Sequence, residues 1–227
     1  MPISNLPDVT AVILCGGLGS RLRPVVPDVP KILAPVQRRP MLAWQLDRLE
    51  RAGIRDVIIC QAIWWEQVKA VFGDFYGREW EEHDENRETE FYRQGLRLRY
   101  TEEPEPLGTG GALRLACPLI ENETVLVLNG DTYSANDIPA ILKIHHLGLT
   151  VLFQPNPAVG VGLGVGLYVV DRAVLEMLPN TLPLSWEKLI LNGDLPCHMT
   201  LVKNIWPFYD MGTPEGYAAI QQVNLAD

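Results

Sequence analysis

Four charged side chains and a run of glycines carry most of the chemistry this sequence can offer. Gly16, Gly17 and Gly19 end an apolar run, Ala11–Cys15, and lead at once to Ser20 and Arg21, with Lys31 following after a proline-rich interval. Strand, glycine turn and cations in that order make a place where backbone N–H groups approach phosphate closely. Between Ser20 and Pro40 stand Arg21, Arg23, Lys31, Arg38 and Arg39 against one acid, Asp28, while the whole 227-residue chain carries a net charge of −9. A local positive field on an acidic protein suits a small anionic substrate and argues against a nucleic acid or an anionic membrane surface as partner.

The other two charges are Asp131 and Asp210. Each ends an extended run and opens a glycine-containing turn, Asn129-Gly130-Asp131 and Asp210-Met211-Gly212. Mg²⁺ is usually held by one or two carboxylates plus substrate phosphates. Two such acids, a glycine turn and cations at 21 and 31 therefore point to phosphoryl or nucleotidyl transfer, which needs charge neutralisation and in-line positioning more than a base. Taken alone, Asp131 serves equally well as the cap of the next turn. No Ser-His-Asp or Cys-His set is apparent, and His145 and His146 read as solvated or capping at a helix end. Cys15, Cys60, Cys117 and Cys197 are scattered without a C-x-x-C pair, the pattern of reduced thiols in a cytoplasmic protein.

Two familiar glycine motifs fail. A phosphate-binding P-loop needs Gly-Lys-Ser/Thr, whereas Gly19 is followed by Ser-Arg. A dinucleotide fingerprint needs a third glycine where Leu22 stands, and tolerates no arginine pair where helix packs on sheet.

The elements that must hold these residues alternate. The run Ala11–Cys15 reads as a buried strand, Met41–Leu49 behind Pro40 as a helix stopped by Gly53, Val57–Cys60 as a strand, and Ile63–Phe72 as a helix closed by Gly73. This β-α-β-α order predicts an α/β layered fold on a mostly parallel sheet. Leu96–Tyr100 reads as an exposed strand, Ala112–Ala116 as the start of a helix, and Thr124–Leu128 as the clearest buried strand. An acid at the carboxyl end of such a strand lies where open α/β sheets place their ligands. A helix over Asp137–Leu147, strands at Thr150–Phe153, Leu167–Val170 and Thr200–Ile205, and helices after Asp171, at Trp186–Leu191 and after Thr213-Pro214 complete the pattern, with Gln154–Gly166 loop-like. The stretch Glu102–Ala116, EEPEPLGTGGALRLA, forces a tight loop whose glycines clear space for something flat or bulky, or simply turn the chain into a helix. Residues 74–94 hold eight acids against three arginines and read as a solvated insertion at about 74–95. With no linker or repeat, residues 1–227 read as one domain. MPISNLPDVT lacks the basic and apolar regions of a signal peptide, and no apolar run is long enough to span a membrane.

CGGLGSRL (Cys15–Leu22), followed by Pro30-Lys31, resembles the signature of the sugar-1-phosphate nucleotidylyltransferases. EPLGTGGAL (Glu105–Leu113), LNGDTY (Leu128–Tyr133) and DMGTPEGY (Asp210–Tyr217) resemble that family's later motifs in the right order. The nearest likeness is to the D-glycero-D-manno-heptose 1-phosphate guanylyltransferases. The resemblance implies a three-layer α/β/α fold on a mostly parallel, Rossmann-like sheet, and an NTP and a sugar 1-phosphate as substrates with Mg²⁺ as cofactor. GTP and a heptose 1-phosphate are favoured, the products being NDP-sugar and pyrophosphate. It further implies that Leu14, Gly16 and Gly17 line the nucleotide and that Gly19, Ser20 and Arg21 wrap the triphosphate. Arg21 would neutralise the leaving pyrophosphate, Lys31 would bridge phosphates, Gly108 and Thr109 would lie against base or ribose, and Asp131 and Asp210 would carry the metal. Departures are Ile32 in place of the proline usual after the lysine, and a sugar-side segment, 154–166, shorter than the family's and without its Glu-Lys pair. The short segment also resembles the N-acetylmuramate 1-phosphate uridylyltransferases, so another base and sugar stay open, as does a catalytically weak binding homologue. Glu187-Lys188 is left without a placement. A homo-oligomer is left open, with the acidic insertion as a candidate contact.

Overall fold

The structure, a computed structural model, describes residues 8–225 apart from 18, 28, 62–64, 78–94 and 156–161. Its first strand, β1 (Val9–Leu14), has six buried residues, as a β-branched apolar run covered on both faces requires. A small hairpin of β2 (Pro35–Val36) and β3 (Arg39–Pro40) leads into helix α1 (Met41–Arg51). Then come β4 (Asp56–Gln61), α2 (Trp65–Phe72), β5 (Phe75–Tyr76) and β6 (Leu96–Glu102). After α3 (Gly108–Ala116) follow β7 (Thr124–Asn129), β8 (Thr132–Ser134) and α4 (Ile138–Ile144). The described fold closes with β9 (Leu149–Pro155), β10 (Gly162–Asp171), α5 (Arg172–Glu176), α6 (Trp186–Asn192), β11 (Met199–Lys203), β12 (Phe208–Asp210) and α7 (Pro214–Ile220).

Eight strands form one sheet in the order β11-β9-β10-β7-β1-β4-β6-β5. From β7 through β1 and β4 to β6 every pairing is parallel, while β10 runs antiparallel to both neighbours. One face packs β1 residues Ala11 and Ile13 against α1, α2 and α4; the other packs Val12 and Leu14 against α3, α5 and α6. That is the three-layer α/β/α arrangement expected. A third apolar cluster joins Leu22, Trp44, Tyr133, Met211 and Ile220 beyond the sheet's carboxyl end. The chain leaves β1 toward β4 on one side and has β7 on the other. The crevice at the ends of β1 and β7 is therefore the switch point where such sheets bind ligands.

Several local expectations need correction. Gln154–Gly166 is not simply loop: Gln154 and Pro155 extend β9, where Gly162 and Leu163 pair with them and Gly164 pairs with Phe153 before the register shifts between Gly164 and Tyr168. Ladder bonds come from the backbone, so glycines pair even where no hydrophobic alternation announces a strand. Residues 156–161 of that segment, and residues 78–94 of the acidic insertion, lie outside the described residues; Phe75–Tyr76 at the insertion's start pair with β6. The strand expected to be exposed buries Leu96 and Leu98, and its Arg97 and Arg99 pair with Asp56 and Glu121. His145 is not solvated: its ring is 5% exposed, 2.9 Å from Thr150 Oγ1 and 3.0 Å from Asp171 Oδ1. Asp171 accordingly holds His145 and the Gly148 N–H rather than capping α5 with its side chain. Among the described residues no helix is long and apolar enough to cross a membrane.

Candidate active site

The end of β1 delivers Leu14, Gly16 and Gly17, and the end of β7 delivers Asp131. Together with Gly108 and Thr109 from the start of α3 they line a cavity of about 320 Å³ at the switch point. Six of the anticipated residues thus meet in one place. Gly19 and Ser20 do not line it. They form the outer turn, in which Gly19, at a φ of 61°, accepts hydrogen bonds from the N–H groups of Leu22 and Arg23. Leu22 is buried in the third apolar cluster and anchors the turn, leaving Arg21 exposed beside the cavity.

Asp131 and Asp210 are brought together by backbone. In the β8–β12 ribbon Asp210 stands opposite Thr132, and Met211 N donates to the Asp131 carbonyl at 2.9 Å. Lys31 Nζ pairs with Asp131 Oδ2, while Asp210 Oδ1 accepts from Gly212 N at 2.7 Å. A methyl group placed on Gly212 would lie 2.8 Å from Asp210 Oδ1, 3.0 Å from Lys31 Nζ and 3.4 Å from Arg21 Nη2. Arg21, Lys31 and Asp210 therefore converge on one small space, and Asp131 joins them through Lys31. Gly130 is confined in the same way, since a Cβ there would sit 2.6 Å from Cys15 Sγ and 3.1 Å from the Leu14 carbonyl oxygen.

The donor set is one of oxygens. Among the described residues no group of three or more His, Cys, Asp or Glu side chains is arranged to hold a metal ion by itself. Asp131 accepts from Lys31 on Oδ2 and from Thr132 Oγ1 at 3.3 Å on Oδ1, Asp210 accepts from Gly212 N on Oδ1, and each oxygen keeps a further lone pair. Two carboxylates without nitrogen or sulfur ligands fit a hard cation completed by phosphate and water, such as Mg²⁺, and do not fit structural zinc.

Sequence reasoning missed Glu103, Pro106, Ala112 and Asn129, which also line the cavity. Glu103 follows the end of β6, so the rule that drew attention to Asp131 and Asp210 applied to it as well. The residue is 4% exposed; its Oε2 accepts from Leu107 N at 3.0 Å, and its Oε1 has no partner among the described residues. Burial pushes its carboxyl pKa up, and the Leu107 bond only partly opposes this. Glu187 also finds a place: its Oε2 accepts from Thr109 Oγ1 at 2.6 Å, tying α6 to the cavity wall. The glycines of α3 clear space chiefly for the chain itself. A Cβ on Gly110 would lie 2.8 Å from Leu184 Cγ, and one on Gly111 would lie 2.9 Å from Leu182 Cδ2. The four cysteines are free, and burial pushes the Cys15 and Cys60 thiols up, which keeps them inert.

A model of the family described as Nucleotidyl transferase matches residues 10–151. A D-glycero-alpha-D-manno-heptose 1-phosphate guanylyltransferase of Aneurinibacillus thermoaerophilus is 35% identical over 93% of this chain and 96% of its own length. Its namesake in Campylobacter jejuni is 38% identical over 56% of this chain, a match spanning only 50% of that relative. In three dimensions the chain resembles HddC from Yersinia pseudotuberculosis, solved with GMP-PN, at a TM-score of 0.71 and 24% identity over 94% of this chain and 98% of that one. At that identity the likeness speaks for the fold.

Proposed function

The chain belongs to the nucleotidyl transferase family, and on that premise we propose that it transfers a nucleotidyl group, preferentially guanylyl, from an NTP to a sugar 1-phosphate. The products are NDP-sugar and pyrophosphate, and the names of the relatives favour a heptose 1-phosphate as acceptor. The observation that carries this reading is the convergence of Arg21, Lys31, Asp131 and Asp210 beside the cavity lined by Leu14, Gly16, Gly17, Gly108 and Thr109. The four free cysteines agree with a cytoplasmic enzyme.

In the proposed reaction a phosphate oxygen of the sugar 1-phosphate attacks the α-phosphorus. The bond from that phosphorus to the bridging oxygen breaks, and pyrophosphate leaves with the electron pair. The attacking oxygen is already anionic, so no general base is required. Leu14, Gly16 and Gly17 line the nucleotide, and Gly108 and Thr109 lie against its base or ribose. Gly19, Ser20 and Arg21 wrap the triphosphate, and Arg21 offsets the charge that builds on the leaving group. Lys31 exchanges its contact with Asp131 for phosphate oxygens as substrate enters. Asp131 and Asp210 would hold Mg²⁺, which would supply neutralisation of phosphate charge.

The test is formation of nucleotide-sugar and pyrophosphate with Mg²⁺, run over the common NTPs and a panel of sugar 1-phosphates. Turnover is expected to be fastest with GTP and a heptose 1-phosphate. No product with any pair, alongside measurable binding of NDP-sugar, would overturn the reading in favour of a binding homologue.

Glu103 supports the guanylyl preference. Guanine presents N–H donors at both N1 and N2, whereas uracil presents one, between two carbonyls. A carboxylate oxygen without a partner on the cavity wall suits the former. Glu103→Gln is expected to lower kcat/KM for GTP about 10- to 100-fold, the worth of one charge-assisted hydrogen bond. UTP use should change little. Because the folded-state pKa is raised, the protonated form of Glu103 stabilises the fold below its unfolded pKa, and this contribution is lost as pH rises through the folded value. At neutral pH the Gln variant should therefore melt no lower than the parent. GTP affinity of the parent should fall as acid protonates Glu103, and the variant should lack that fall. Unchanged GTP/UTP discrimination would remove Glu103 from base selection.

A further inference from the structure

On the α1 and α4 side of the sheet, away from the active-site crevice, lies a second cavity of about 180 Å³ lined by Arg48, Arg51, Tyr133, Asn136 and Asp137, among others. Arg48 is 8% exposed, and its charge has no carboxylate partner among the described residues. Its Nη1 donates to Gln45 Oε1 at 3.3 Å, its guanidinium carbon lies 5.0 Å from the centre of the Tyr133 ring, and its Nη2 has no acceptor among the described residues. A buried cation in this state is expensive unless something anionic completes it. Burial, opposed by Tyr133 and aided by neighbouring Arg51, pulls its pKa down to about 10.

A second unsatisfied atom belongs to Asn136, another residue of the cavity lining. Asn136 Nδ2 donates to Asn204 Oδ1 at 3.3 Å, which leaves Asn136 Oδ1 a buried acceptor without a donor. Asn204 cannot take the reverse role, because the two donors of its amide go to Trp206 O at 2.6 Å and Gln154 Oε1 at 3.3 Å. Asp137 is engaged in capping α4, its Oδ1 accepting from Ala140 N at 3.0 Å. The cavity therefore asks for one ligand that carries negative charge toward two arginines and a hydroxyl proton toward an amide oxygen. Hydrogen phosphate and protonated phosphate monoesters have both; sulfate and chloride have no proton to give.

We propose that this cavity is a second, non-catalytic phosphate site, binding inorganic phosphate or a small phosphate monoester between Arg48, Arg51 and Asn136. It is joined to the active site by one side chain. Gln45, fully buried, accepts from Arg48 and donates to the carbonyls of Thr132 at 2.6 Å and Asn129 at 3.3 Å, the residues that bracket Gly130 and Asp131. Occupancy is thus felt at the proposed metal-binding turn.

The probe is inorganic phosphate, titrated into the substrate-free protein at constant ionic strength while thermal unfolding is followed. The parent's Tm should rise saturably, by about 3–6 °C at ten times the dissociation constant. Sulfate and chloride should do much less. Arg48→Met should melt above the parent without phosphate, since an uncompensated buried charge has gone, and should lose the phosphate response. Arg51→Gln, at an exposed position, should keep the fold and weaken the response several-fold. Arg21→Ala removes a proposed triphosphate contact and should keep it. A monoester such as glycerol phosphate separates the two sources by matching or exceeding inorganic phosphate. The proposal is overturned if the response is lost in Arg21→Ala and kept in Arg48→Met. It is likewise overturned if all three anions act alike, or if Arg48→Met melts below the parent in phosphate-free buffer. None of these readouts depends on turnover, so failure here leaves the transferase reading standing, and the reverse.

Discussion

Asp131→Asn is expected to reduce kcat by about 100- to 1,000-fold, on the order of 3–4 kcal/mol in the activation barrier, with the fold retained. The substitution keeps the shape of the side chain and its place at the end of β7, and changes only the charge. That charge has two tasks. It pairs with Lys31 in the substrate-free protein, and in the proposed reaction it would hold Mg²⁺. Losing the pair costs little, because neither partner is fully buried, their side chains being 13% and 28% exposed. The expected penalty of about 1–2 kcal/mol corresponds to a Tm lower by roughly 2–8 °C. Loss of metal affinity should dominate, so raising Mg²⁺ should recover part of the activity. Near-normal turnover at ordinary Mg²⁺ would take Asp131 out of the metal site. Collapse of the fold would instead show that the Lys31 pair is chiefly structural.

The second large effect is expected from a residue that touches no substrate. Gly216 lies in the first turn of α7, where its N–H is capped by Thr213 Oγ1 at 3.1 Å and its Cα rests against the Asp210 carbonyl oxygen. A Cβ there would collide with that backbone atom rather than with a flexible side chain. Gly216→Ala must push α7 and β12 apart. Helix α7 is pinned from the other side, because Tyr217 Oη and Gln221 Nε2 both donate to Pro35 O, at 2.6 and 2.8 Å. β12, with Asp210, is therefore the part that moves. Overpacking of this kind costs about 1–3 kcal/mol. A carboxylate displaced by about 1 Å from its partner would cost about 100-fold in turnover. If the effect runs through Asp210, Gly216→Ala added to Asp210→Asn should lower kcat no further than Asp210→Asn alone. Full multiplication of the two effects would show that Gly216 acts elsewhere.

Much of this was legible in the chain because the informative residues sit where backbone rules apply. β1 and β7 are short apolar runs closed by glycine, and an acid after such a strand is in a predictable place whatever its neighbours do. Glu103 obeyed the same rule and was passed over because it stands among other acids and prolines, where charge reads as solvated loop. The glycines at 110 and 111 were visible but their occupant was not, since Leu182 and Leu184 approach from a segment remote in sequence. Arg48 and Gln45 could not be found at all from pattern. They lie on a helix whose periodicity is satisfied by Leu42, Leu46 and Leu49, and only packing shows that two polar residues are enclosed with them. The pairing of Gly162–Gly164 was hidden because strand signals are carried by side chains and this strand has few.

The ribbon that brings Asp210 beside Asp131 also sets an order of assembly. Every residue that lines the cavity has been made once Asp131 is, and its braces, Leu184 and Glu187, come later. The second carboxylate arrives only with β12, and α7, the segment to Leu225 and the Tyr133 hydroxyl, which donates to Leu225 O at 3.1 Å, then clamp it in place. A chain that has not yet placed β12 would thus hold the first carboxylate and lack the second. On the proposed reading the segment from β12 to Leu225 would act as a safety catch, because the second carboxylate is in place only once that segment has packed.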